Sequence, residues 1–150
     1  MLPVRRHILS FSYFSEKSPP MLRRLLAVIL GIVGGVVLIG LLQYVLFMIS
    51  PPPEGMDLTD PKVMADYIAS LEAWKLLLVI VTYAIGAAVG GFLGSRMTDA
   101  QPDLVGIVIG LGLTVFALLN LLQIPHPVWF WILALLVHVP CALWGSKQGQ

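Results

Sequence analysis

The sequence predicts an all-α membrane protein, a four-transmembrane-helix bundle with a short amphipathic helix in the first outer loop. Three observations carry that expectation. Of 150 residues, 58% are hydrophobic and 11% charged, with a mean hydropathy of +0.91, too little charge to coat a water-facing surface. Four apolar runs, 25–49, 76–94, 104–122 and 128–144, contain no Asp, Glu, Lys or Arg, and about 20 such residues make one crossing. The charges between the runs divide by side. Under an even number of crossings Arg5, Arg6, Lys17, Arg23, Arg24, Arg96 and Lys147 share one side, and only Lys62 and Lys75 fall on the other. The positive-inside rule then places both termini in the cytoplasm. A net charge of +1 argues against a nucleic-acid partner. The single cysteine, Cys141, excludes an internal disulfide and a multi-cysteine metal site.

Residues 1–21 form a basic, serine-containing cytoplasmic extension with the composition of a transit peptide. Met21-Leu-Arg-Arg before the first span reads as the natural start of a signal-anchored chain. The transmembrane domain is expected over 22–146, with 147–150 as a cytoplasmic tail. In the outer loop, Pro51-Pro-Pro-Glu-Gly ends the first helix, and Asp60 followed by Pro61 is a helix start. The helix expected over about 61–72 gathers Val63, Met64, Tyr67, Ile68 and Leu71 on one face and lies on the outer leaflet. Trp74, Trp129 and Trp131 fall at the same interface, and Trp144 anchors the opposite end of the short fourth span.

Glycines recur at four-residue spacing in three spans: Gly31 and Gly35, then Gly86, Gly90 and Gly94, then Gly106 and Gly110. Such a stripe lets a second helix approach closely, which matters in lipid because packing replaces the hydrophobic drive between helices. These are the expected helix-packing residues, a glycine-zipper pattern. Most lie in the cytoplasmic half, whereas Gln43, Tyr44, Thr82, Tyr83, Asn120 and Gln123 lie toward the outer leaflet. The inferred shape is a wedge, closed toward the cytoplasm, with an outward-facing polar pocket. The competing reading gives the polar residues to interhelical bonds and headgroup contacts.

His138 is the ionisable group inside a span other than Tyr and Cys, and such a residue is a functional hypothesis by default. The expected state is a neutral imidazole bonded to a nearby backbone or hydroxyl group. For a metal role Cys141 at i+3 is insufficient. Glu54, Asp57 and Asp60 lack the dense oxygen ligands of a calcium loop, so no metal or cofactor is expected.

The order Met21-Leu-Arg-Arg, first helix, Pro-Pro-Pro-Glu-Gly-Met-Asp, then Gly86-Ala-Ala-Val-Gly-Gly-Phe-Leu-Gly-Ser-Arg resembles small four-helix bacterial membrane proteins over about residues 21–145. That resemblance implies a bacterial inner-membrane location and no activity. Gly90–Arg96 is faintly similar to the glycine-rich stretch of small fluoride channels, but their pore motif is absent. Small multidrug transporters share the size and helix number but use a membrane-embedded glutamate, and this chain has none. The expected role is non-enzymatic: a structural or accessory protein packing through glycine faces against itself or a larger membrane complex. The alternative is a homo-oligomeric channel or transporter subunit that uses the polar pocket. An enzyme is disfavoured because no spaced nucleophile, base and metal-ligand set is visible.

Overall fold

The first apolar run becomes helix α1, Pro20–Ile49, in the computed structural model, which describes residues 20–150. It is followed by α2 (Pro61–Ser70), α3 (Ala73–Arg96), α4 (Pro102–Gln123) and α5 (Val128–Gln148). There is no strand among the described residues. The four long helices are long and apolar enough to cross a membrane. The 1–21 extension lies almost wholly outside the described residues.

Each long helix outruns its apolar core at one or both ends. α1 starts at Pro20 rather than 25 because Met21-Leu-Arg-Arg is made of good helix formers behind a proline, which suits a first turn. α3 gains Ala73-Trp-Lys and Ser95-Arg, α4 gains Pro102-Asp and Gln123, and α5 gains Gly145-Ser-Lys-Gln. Counting uncharged residues finds the apolar core of a helix, whereas backbone hydrogen bonding continues until a cap or turn stops it. Pro140 stands inside α5 without ending it.

The short helix α2 stops at Ser70 instead of 72, because Leu71 takes an extended conformation and its N–H returns to the Ile68 carbonyl. Its start is fixed by Asp60, whose carboxylate accepts from Lys62 N at 2.7 Å and Val63 N at 3.4 Å. Asp60→Ala should therefore cost about 1 kcal/mol of local stability. Faster amide exchange at Lys62 and Val63, with α3 unchanged, is the expected readout. Val63, Met64, Tyr67 and Ile68 are half-buried, and Lys62 and Asp66 are exposed. The backbone of α2 stands off from every long helix. An apolar groove of about 350 Å³ separates it from the ends of α1 and α3.

α3 is central, touching α1, α4 and α5, while α1 meets α3 and part of α4 but not α5. Missing side chains make these approaches. A Cβ on Gly31 would lie 2.7 Å from the Gly90 carbonyl oxygen, and one on Gly90 would lie 2.7 Å from the Gly31 oxygen. Gly35 and Gly86 repeat the exchange one turn on, and Gly94 faces Ala27 and Ile109. Gly106 and Gly110 let α4 onto the α5 backbone, with added Cβ atoms 2.7 Å from Leu143 Cα and 2.6 Å from Val139 Cα. The α3–α5 contact depends on two further glycines, Gly91 against the Ala142 carbonyl and Gly145 against the Ala88 carbonyl.

Two buried clusters fill the bundle. Ala87, Val105, Ile109, Leu113 and Ala142 form one; Leu76, Tyr83, Leu121, Phe130 and Ala134 form the other, toward the α2 end. The opposite end gathers the start of α1, the α3–α4 loop and the C-terminus. Arg23 donates to Asp99 at 2.7 Å and to the Met97 carbonyl at 3.1 Å; Lys147 meets Asp103 at 3.1 Å; and the Gln150 amide donates to the Ala100 carbonyl at 2.7 Å. These exposed ion pairs fix geometry more than they stabilise.

Candidate functional site

α1 and α4 touch near the terminal end, where Gly31 and Gly35 meet Ile109 and Leu113 and Gly112 meets Ile32. Farther along they part, and a cavity of about 230 Å³ opens between them where the two core clusters meet. Its walls are Val36, Ile39 and Gly40 of α1 and Leu113, Phe116 and Ala117 of α4. Four polar side chains also line it, one from each long helix: Gln43, Tyr83, Asn120 and His138. Gln43 also borders the apolar groove beneath α2 and so stands between the two spaces.

The sequence-derived pocket is therefore redrawn. Gln43, Tyr83 and Asn120 come together, but Tyr44, Thr82 and Gln123 do not join them. Tyr44 is 62% exposed, since the next position on a helix turns through about 100° and leaves the face that Gln43 occupies. Thr82 is buried but donates to the Val79 carbonyl of its own helix at 2.7 Å, and the Gln123 amide likewise donates to Leu119 at 3.0 Å. Short polar side chains in helices often close on the preceding turn in this way. A reading by depth along the helix groups these six residues, whereas membership depends on which face each presents.

His138 is the residue that depth alone did not add. It is 1% exposed, and its buried Nδ1 makes no hydrogen bond of full geometry, although the Ala134 carbonyl one turn back in α5 lies close to the ring. Its ring lies 5.2 Å from the Tyr83 ring, which in turn sits 6.4 Å from Phe130. Phe130 is fully buried and is stacked on His126 at 4.4 Å and met edge-on by Trp129 at 6.0 Å. A row of rings therefore runs from the α4–α5 loop to the cavity and holds Tyr83 in place.

No family model, curated protein or solved structure matches the chain. The resemblance to small four-helix bacterial membrane proteins rests on the sequence features alone, and the function has to be argued from the site.

The remaining candidate groups are engaged elsewhere. Asp57 accepts from the Thr59 hydroxyl at 2.6 Å and the Thr59 N–H at 3.0 Å, and these bonds hold its carboxyl below the usual carboxylate range. With Asp60 capping α2, two of the three acidic residues of the run Glu54, Asp57 and Asp60 are occupied in local turns. No group of three or more His, Cys, Asp or Glu among the described residues could hold a metal ion.

His126, between Pro125 and Pro127 in the α4–α5 loop, is half-buried. Burial pushes its imidazole below the ordinary value, against the opposing effect of the Ile124 carbonyl 2.7 Å from Nδ1. The neutral ring is therefore the form the fold prefers, so its contribution to stability is full above the unfolded pKa and is lost as pH falls toward the folded one. An NMR titration of His126 should show a midpoint below about 6.5. Phe130→Leu, which removes the stacked ring, should return it toward that value.

Proposed function

We propose that this is a non-enzymatic multi-pass membrane protein that holds a small uncharged ligand in the cavity between α1 and α4. The observation that carries the reading is the cavity of about 230 Å³ between α1 and α4, to which each long helix brings one polar side chain, Gln43, Tyr83, Asn120 and His138. In an apolar bundle each such group is costly unless it is bonded. Gln43 lies close enough to Tyr83 to bond to it, and four polar groups converging from four helices beside a cavity supply a ligand with orienting partners. The charge asymmetry of the loops supports an orientation with both termini in the cytoplasm, α2 on the outer leaflet and the cavity in the outer half, and the resemblance to small bacterial proteins implies the inner membrane.

Native mass spectrometry of the protein extracted with its own lipids tests this. Wild type is expected to carry a small molecule that the double variant Tyr83→Phe/Asn120→Leu loses. An empty wild type, identical to the double variant, overturns the reading.

A structural or accessory role is the second reading, and a specific observation favours it. The ridge Leu25, Ile29, Val33, Val37 and Leu41 runs at four-residue spacing along α1, each residue 44–58% exposed. It gives a second subunit or a second copy a continuous apolar surface. The interface would use this ridge rather than the glycine faces, because Gly31, Gly35, Gly86, Gly90, Gly94, Gly106 and Gly110 already face neighbouring helices of the same chain. In the same spectra a stable heteromer supports an accessory subunit and a closed homo-oligomer supports a channel or transporter subunit.

A further inference from the structure

The nature of the occupant can be narrowed from the cavity itself, and the inference rests on the binding reading above. No Asp, Glu, Lys or Arg lines the space, so a charged head would lose its hydration without a counter-charge. The polar groups stand on four different helices, and they match an occupant with oxygens on more than one side rather than a single hydroxyl at one end. The volume is about 230 Å³. An apolar cavity of about 150 Å³ accepts benzene, so a substituted six-membered ring fits.

The mouth of the cavity faces the outside of the bundle. Val36 and Phe116, on its two sides, are 36% and 53% exposed. Gly40 lies on the same wall, and a Cβ there would meet nothing within 4 Å. In a membrane this opening faces acyl chains, so an apolar tail can leave through it while the head stays inside.

The geometry points to the head of a quinone-class lipid, an uncharged six-membered ring with carbonyl or hydroxyl oxygens on opposite edges and an apolar tail passing Gly40. His138 is suited to both forms of such a ring. The residue lines the cavity, and a neutral imidazole carries one donor and one acceptor nitrogen. The Tyr83 ring, 5.2 Å from the imidazole, adds a flat aromatic wall.

The test uses the full chain in phosphatidylcholine nanodiscs and a decyl-tailed benzoquinone, with binding followed by equilibrium dialysis and by the ring ¹⁵N signals of His138. Wild type should bind one quinone per chain saturably, with a shift of the His138 signals. Gly40→Phe, whose Cβ has open space and whose ring narrows the mouth, should weaken binding at least about tenfold with an unchanged thermal midpoint. His138→Leu should weaken it about tenfold. Equal binding by Gly40→Phe, or unshifted His138 signals at saturation, overturns the proposal. If a decyl-tailed alcohol binds as tightly as the quinone, the quinone class falls and the polar-cavity reading stands. If neither binds and protein from native membranes carries no small molecule, both fall.

Discussion

Gly91→Ala and Gly145→Ala should each destabilise the bundle by about 3 kcal/mol or more, the upper end of what overpacking costs. In both cases the new methyl group meets backbone, the carbonyl of Ala142 for Gly91 and the carbonyl of Ala88 for Gly145. Backbone cannot rotate out of the way, so α3 and α5 must separate along the contact that joins the two halves of the bundle. In lipid no hydrophobic gain compensates for lost interhelical packing.

A graded series tests the cause. Gly112→Ala should cost less, because its added Cβ meets only the side chain of Ile32, which can change rotamer. Gly40→Ala should cost nothing and gain up to about 1 kcal/mol of helix propensity, since no atom lies within 4 Å. Unfolding titrated with dodecyl sulfate in mixed micelles would rank the variants. If Gly91→Ala and Gly40→Ala unfold together, close backbone approach does not hold this fold.

That series also shows what the sequence makes legible. Four apolar runs separated by prolines and charges yield four long helices, because in a chain this apolar the backbone has to satisfy itself within each segment. Four-residue glycine spacing marks one smooth face on a helix. It does not say which helix that face meets. Gly91 has no glycine four residues away and Gly145 has only Gly149, just past the end of α5, yet an added Cβ on either would strike the backbone of the facing helix. A periodicity search passes over them for that reason.

The site was legible to a similar degree. Gln43, Tyr83 and Asn120 could be grouped by their depth along three helices, but Tyr44 and Thr82, one residue from members of the group, are directed elsewhere by the helical rotation. His138 stands out in the sequence as an isolated imidazole, and only the packing of α5 behind Tyr83 brings it to the same cavity.

His138→Leu is expected to make the empty protein more stable, by about 1 to 2 kcal/mol. A buried polar atom without a partner costs roughly 1–3 kcal/mol relative to a satisfied one, and an apolar side chain of similar size removes that cost. Nδ1 of His138 is buried without a bond of full geometry, with only the Ala134 carbonyl beside the ring. The ring is already 99% withdrawn from solvent, so leucine occupies an existing space rather than creating one. If His138 were structural, held by a bond that stabilises the bundle, the same substitution would instead lower the unfolding midpoint.

Ligand should then reverse the order of the two proteins. A ligand that binds only the folded state adds about 2.7 kcal/mol at one hundred times its dissociation constant. A leucine variant that binds about tenfold more weakly gains roughly 1.4 kcal/mol less from the same addition. Unfolding curves measured with and without ligand should therefore converge or cross, with the variant ahead when empty and wild type level or ahead when loaded. Curves that keep a constant separation would mean that His138 senses nothing in the cavity. A crossing would identify it as a group whose cost in the empty fold is offset by what the cavity binds.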